Sequence, residues 1–214
     1  MKFILIFSFF FLFFGQAQQS GPFQDEVISI QKKYDRFWDS SKPTIVFTGS
    51  SSIRMWNNIQ EAFPEYQVIN SGFGGSTSSD LLRYSNELIL QYRPQKVFIY
   101  EGDNDIAAKV QTEDILNNTL AIINRIKARD SKTEIVLISA KPSIARWSQR
   151  TQFKKLNRGF ERLSKRDDTI SYANVWDPML QNNRVRRDIF LRDGLHMNSK
   201  GYELWLSVIK KHVK

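Results

Sequence analysis

The chain has 214 residues, 41% apolar and 25% charged, with 31 Lys and Arg against 22 Asp and Glu. Those proportions suit an ordinary globular domain, and five Trp and seven Tyr among regular apolar runs exclude disorder. Zero Cys excludes a disulfide framework, thiolate zinc sites and a cysteine nucleophile, while two His, His196 and His212, leave no room for a multi-histidine metal centre.

At the start, Lys2 precedes an apolar run, Phe3–Phe14, broken only by Ser8 and followed by Gly15-Gln16-Ala17. A basic start, a short hydrophobic stretch and small residues before a cut after Ala17 spell a secretory leader. The run is well short of the roughly 20 residues that cross a membrane. Residues 1–17 are therefore expected to be a signal peptide and residues 18–214 one exported domain, periplasmic or extracellular and soluble. No Cys follows the cut to carry a lipid, and no second apolar run approaches membrane length. No stable membrane insertion is expected after cleavage.

A leading helix is expected over about Gln24–Asp39. Short β-branched runs follow at Thr44–Thr48, Gln67–Asn70, Lys96–Tyr100, Glu134–Ser139 and Thr169–Ala173. Each is apolar on both faces, as strands covered by helices on either side must be. Helical patterns lie between them at Ser78–Tyr92, Thr112–Arg129 and Ser148–Arg166, with a last helix at Ser199–His212. Thr112 suits an N-cap, and Pro94 separates the Ser78–Tyr92 helix from the strand that follows it. The alternation predicts an α/β fold: a parallel five-stranded sheet in a three-layer α/β/α sandwich.

Basic residues concentrate in Arg146–Arg166 and Arg184–Arg192. In the first segment Phe153, Leu156, Phe160 and Leu163 form a buried stripe, which leaves Lys154, Arg158, Arg162 and Lys165 on a solvated face. Attraction to an anionic polysaccharide or membrane surface is the alternative use of this charge. Nucleic acid is not expected as a partner, because no binding motif is present.

In a parallel sheet, sites form at the carboxyl ends of the strands. The loops there read Gly49-Ser50-Ser51-Ser52, then Asn70-Ser71-Gly72-Phe73-Gly74-Gly75-Ser76-Thr77, then Glu101-Gly102-Asp103-Asn104-Asp105. Arg192-Asp193-Gly194-Leu195-His196 precedes the last helix. The glycines match neither a P-loop nor G-x-G-x-x-G, where Thr77 stands in place of the third Gly. Asp103-Asn104-Asp105 lacks the Gly and Glu of a calcium loop. The nucleophile elbow G-x-S-x-G also fails, because Ile53 occupies its final Gly.

In this order, the four blocks resemble the SGNH (GDSL-type) hydrolases, serine esterases named for Ser, Gly, Asn and His. The resemblance runs from Ile45 to about Trp205 and implies a flavodoxin-like architecture. Carried over by position, it implies Ser51 as nucleophile, His196 as its base and Asp193 as the residue orienting the imidazole. It implies an oxyanion hole built from the backbone N–H groups of Ser51 and Gly75 and the side-chain amide of Asn104. Asp103 and Asp105 are expected to support or cap their loop, and His212 to lie on the surface. The chain departs from the family spelling with Ser50 in place of Asp and Ser52 in place of Leu. Three successive serines make Ser51 an assignment by alignment, with Ser50 and Ser52 as its competitors.

The function these residues imply is an exported serine esterase needing no metal or cofactor. It would release a short acyl group, acetyl above all, from a sugar or glycan through an acyl-enzyme. A lysophospholipase or broad short-chain esterase is the alternative; the basic face and an exposed Trp147 suit either substrate and equally a structural role. A binding module that keeps the fold without the chemistry is the alternative of another class. Oligomeric state is not written in the sequence.

Overall fold

All five expected strands form, because each combines β-branched and aromatic residues with burial on both faces. The computed structural model describes residues 21–213, so the leader read at residues 1–17 lies outside the described residues. In chain order, α1 (Gln24–Tyr34) leads to β1 (Thr44–Gly49), the short α2 (Ser51–Arg54), β2 (Gln67–Gly72), α3 (Ser78–Arg83) and α4 (Ser85–Leu88). Then come β3 (Lys96–Tyr100), α5 (Asp103–Ala107), α6 (Thr112–Arg129), β4 (Glu134–Ile138), α7 (Arg150–Ser164) and β5 (Ile170–Ala173). A hairpin of β6 (Leu180–Gln181) and β7 (Arg184–Val185) precedes α8 (Ser199–Ile209).

The sheet is parallel, in the order β2-β1-β3-β4-β5. Side chains alternate between its two faces with the strand period of two. Val46, Val97, Ile99, Ile135 and Leu137 pack against residues of α1, α3, α4, α6 and α7. Ile45, Phe47, Phe98, Tyr100, Val136 and Ile138 pack on the other face against α2 and α8. Three layers result, as expected. After β1 the chain moves outward to β2, then returns across β1 to lay down β3. That reversal opens a crevice at the carboxyl ends of β1 and β3, where ligands gather in such sheets.

Three expectations change in detail, and one element is new. The helix read over Ser78–Tyr92 breaks at Tyr84, whose φ of −99° and ψ of 17° are not helical. The Leu82 carbonyl there accepts from the Ser85 hydroxyl at 3.0 Å and from Arg125 at 2.5 Å instead of continuing the helix ladder. The bend lets the Tyr84 hydroxyl donate to the Pro22 carbonyl. The leading helix stops at Tyr34, and Asp39 then closes a turn by accepting from the Ser41 N–H and hydroxyl. Thr112 is the first helical residue, not the cap; Gln111 holds the cap position and makes no side-chain capping bond. The β6–β7 hairpin was not anticipated in the sequence. Its two central residues, Asn182 and Asn183, both have positive φ (50° and 58°), which suits the primed hairpin turns.

Candidate active site

The site begins where β1 ends. Gly49 has φ 135°, and a Cβ there would lie 1.9 Å from the Tyr100 carbonyl oxygen of β3. Only glycine lets β1 end so close to its neighbour. Ser50 then donates its N–H to the Tyr100 carbonyl, and Ser51 opens α2. Asn70 steadies this short helix by donating its amide to the carbonyls of Ile53 and Trp56 while accepting from the Gly72 N–H. Of the three serines, Ser50 and Ser52 are buried, each 2% exposed, whereas Ser51 is only partly covered.

His196 approaches from the loop before α8, with Nε2 3.0 Å from Ser51 Oγ. Its Nδ1 lies 2.6 Å from Asp193 Oδ2. The other carboxylate oxygen of Asp193 accepts the N–H groups of Leu195 and His196, in a turn that needs φ 63° at Gly194. Desolvation pushes this carboxyl upward, but those N–H groups and the imidazole outweigh it and hold its pKa at about 2. Asp193 is thus ionised at neutral pH and accepts a hydrogen bond from the Nδ1–H, leaving Nε2 free to accept from the Ser51 hydroxyl. In such a chain of hydrogen bonds the imidazole can draw the hydroxyl proton as the oxygen attacks.

On the other side of Ser51 lie the loops after β2 and β3. Gly75 has φ 81°, and a Cβ on it would meet no protein atom within 4 Å. Among the described residues, no hydrogen-bond acceptor engages the N–H of Ser51 or of Gly75. Asn104 donates one N–H of its amide to the Ser76 carbonyl at 2.9 Å, and its Oδ1 accepts from Arg146 at 3.0 Å. Because guanidinium only donates, Arg146 fixes which end of the amide is oxygen. The second N–H of the amide is left for another acceptor. The three donors expected from the sequence therefore stand on adjacent strand ends, those of β2, β1 and β3.

Beneath Asn104 is a buried ionic cluster that the sequence did not announce. Asp103 accepts from Lys141 and from the Tyr100 hydroxyl, both at 2.9 Å, and also pairs with Arg146. Lys141 is 1% exposed. Burial pulls Asp103 upward, yet the two cations hold its carboxyl below the ordinary range. Two residues earlier, Glu101 goes the other way: burial raises it well above its ordinary value, against the Ser76 hydroxyl bond at 2.7 Å. Asp105 does the capping expected of it, accepting the N–H and hydroxyl of Ser78 at the start of α3. Glu26 of α1 accepts the Gly74 N–H at 3.0 Å and so tethers the glycine loop.

Two expectations need correction. His212 is not a surface residue; it is half-buried, with Nδ1 3.0 Å from the Ser171 hydroxyl. Trp147 is not freely exposed. It stacks on Trp176 with ring centres 6.1 Å apart, and the Arg150 guanidinium lies 5.6 Å from its ring.

Solved structures share this architecture. A Streptococcus pneumonia protein provisionally described as a platelet activating factor superposes with a TM-score of 0.77, at 24% identity, over 89% of this chain and 94% of its own. A lipase/acylhydrolase from Enterococcus faecalis gives 0.69 at 22% identity over 80% and 95%. A carbohydrate esterase family 3 protein from Talaromyces cellulolyticus gives 0.65 at 13% over 80% and 96%. Identities this low speak for the fold alone. Comparison with curated proteins gives no match. The model of the GDSL-like lipases and acylhydrolases matches residues 38–204, a span that contains Ser51, Gly75, Asn104, Asp193 and His196. The chain belongs to the GDSL-like lipase/acylhydrolase family and is an ester hydrolase of that kind.

Proposed function

We propose that the protein removes short acyl groups, acetyl first among them, from the hydroxyls of a sugar or glycan by way of an acyl-enzyme. The observation that carries this reading is the relay from Asp193 through His196 to Ser51 Oγ, at 2.6 and 3.0 Å. Ser51 Oγ attacks the ester carbonyl while His196 Nε2 takes its proton, and the carbonyl π electrons move onto oxygen. The N–H groups of Ser51 and Gly75 and the spare N–H of Asn104 receive that oxyanion. As the tetrahedral centre collapses, the C–O bond to the alcohol breaks and His196 returns the proton to the leaving oxygen. Water then repeats the sequence on the acyl-serine, with His196 as base, and releases the acid.

The saccharide part of the reading draws on the fold shared with a carbohydrate esterase. Residues 1–17 act as an export leader in this proposal, which puts the enzyme where glycans are met. Among the described residues, no helix is long and apolar enough to cross a membrane.

A panel of p-nitrophenyl esters of graded chain length, run beside acetylated sugars and a lysophospholipid, tests the substrate. The expected result is turnover that is greatest for acetyl, falls with chain length and extends to the acetylated sugars. Preference for long chains or for the lysophospholipid would overturn it.

A further inference from the structure

Four arginines fall within Arg184–Arg192, and the β6–β7 hairpin gives this charge a place. The hairpin is a firm platform. Its turn is fixed by Asn182 and Asn183, the Arg186 N–H donates to the Met179 carbonyl, and Ile189 and Phe190 behind it are buried. Across from it runs the segment Ile144–Trp147. Between the two lies a groove of about 780 Å³ lined by Ile144, Trp147, Gln181, Arg184, Arg186 and Arg187, among others. Its volume falls in the range of small-molecule sites, about 300–1,000 Å³.

The groove is linked to the candidate site through the segment that forms one of its walls. The N–H groups of Ile144 and Ala145 both donate to the Gly194 carbonyl, at 2.9 and 3.1 Å, between Asp193 and His196. Arg146 of the same segment holds Asn104. The segment therefore forms one wall of the groove while touching both the triad loop and the oxyanion side.

The groove gathers cations with few partners. Along α7, Lys155 and the following Lys165 have Glu113 and Glu161 as partners, each at 2.8 Å, while among the described residues Lys154, Arg158 and Arg162 have none on the exposed helix face. In the groove only Arg186 is paired, with Asp188 at 2.9 Å. Among the described residues, neither Arg184 nor Arg187 has a carboxylate within 4.0 Å. Guanidinium forks beside an apolar wall suit planar, bidentate anions.

We propose that this groove binds an anionic group, a carboxylate or a phosphate, on the leaving-alcohol part of the ester. The side follows from the chemistry: His196 delivers its proton to the leaving oxygen, and Ile144 of the groove wall is hydrogen-bonded to the loop that carries His196. The inference rests on the esterase reading and narrows its substrate to an acidic saccharide ester.

Three aryl acetates with the same acyl group test it: para-acetoxybenzamide, para-acetoxybenzoate and para-acetoxyphenyl phosphate. At low salt, kcat/KM for at least one anionic ester should exceed that for the benzamide by about tenfold, and the ratio should shrink as salt is added. Arg184→Glu with Arg187→Glu should bring the ratio to one or below. Arg158→Glu with Arg162→Glu, the same charge change on the exposed face of α7, should leave it in place. Preference for the benzoate assigns a carboxylate as the ligand, and preference for the phosphate assigns a phosphoryl group. A ratio of one in the wild type, or a ratio that survives the Arg184/Arg187 changes, overturns the inference. Failure to hydrolyse any of the three, or p-nitrophenyl acetate, would instead overturn the esterase reading beneath it.

Discussion

The two sides of Ser51 are built in opposite ways. The triad side is local and wet: Asp193 and His196 lie three residues apart in one turn, and the Asp193 side chain is 47% exposed. The frame beneath the proposed oxyanion donors is assembled over long range and dry. Asn104 is held by Arg146, 42 residues away, and Asp103 by Lys141, 38 residues away, with Lys141 and Asp103 side chains 1% and 5% exposed. The difference follows the tasks. An imidazole must exchange protons with arriving alcohol or water, so its loop can stay at the surface. An oxyanion donor must be oriented before charge develops, which calls for a rigid, water-poor frame. Buried ions supply such a frame only when each is paired.

The largest effect should come from the wet side. His196→Ala should lower kcat by about four to six orders of magnitude with little change in Tm, since the imidazole supports no core packing. Ser51→Ala should match it, and the double variant should be scarcely worse than either single. A large drop in Tm would show that the triad loop is structural as well, and would erase the contrast.

On the dry side, Asn104→Ala should cost about 100- to 1,000-fold in kcat with a small change in KM, because its spare N–H meets charge only in the transition state. Arg146→Gln, which keeps Asn104 but loses the guanidinium that orients it, should give a smaller loss in the same parameter. A raised KM with kcat preserved in either variant would make Asn104 a ground-state contact.

Asp103→Asn sharpens the comparison through stability. It strands Lys141 in the interior, at a cost of roughly 3–5 kcal/mol, or a Tm lower by about 10 °C. An Asp193→Asn variant, at an exposed position, should keep nearly all its Tm while losing activity. Equal melting of the two would mean that burial of the cluster does not set its worth.

The smallest effect is a pH dependence at Glu101. Its folded pKa is raised, so the folded protein binds that proton more tightly than the unfolded chain does, and stability declines as pH climbs above about 4.5. Glu101→Gln removes this decline. The Tm of the variant relative to wild type should rise as pH climbs above about 4.5 and level off once pH passes the folded value. A difference that stays constant over that range would mean the carboxyl titrates as it does in the unfolded chain.

What could be read from the sequence divides along the same line. The strands were legible because burial on both faces leaves continuous apolar runs, whereas Asp193 and His196, though close in sequence, took their roles only from the family resemblance. Ser51, Gly75 and Asn104 came from the resemblance of four ordered blocks, not from spacing. Lys141 and Arg146 left no trace, since Lys141-Pro142-Ser143 looks like any loop until the fold carries it to Asp103. Asn70 had a weak signal, an amide closing an apolar strand. The break at Tyr84 was invisible because Arg125, which takes the Leu82 carbonyl, lies on α6. The hairpin was spelled by Asn182-Asn183 but hidden among arginines.

The central claim is that Ser51, and neither neighbouring serine, is the nucleophile activated by His196. Labelling with a fluorophosphonate, followed by peptide mass spectrometry, tests it most directly. The account predicts one phosphonyl group on the Ser51 oxygen, with labelling abolished in Ser51→Ala and slowed severely in His196→Ala. A modified Ser50 or Ser52, or an unlabelled protein that still hydrolyses p-nitrophenyl acetate, would contradict it.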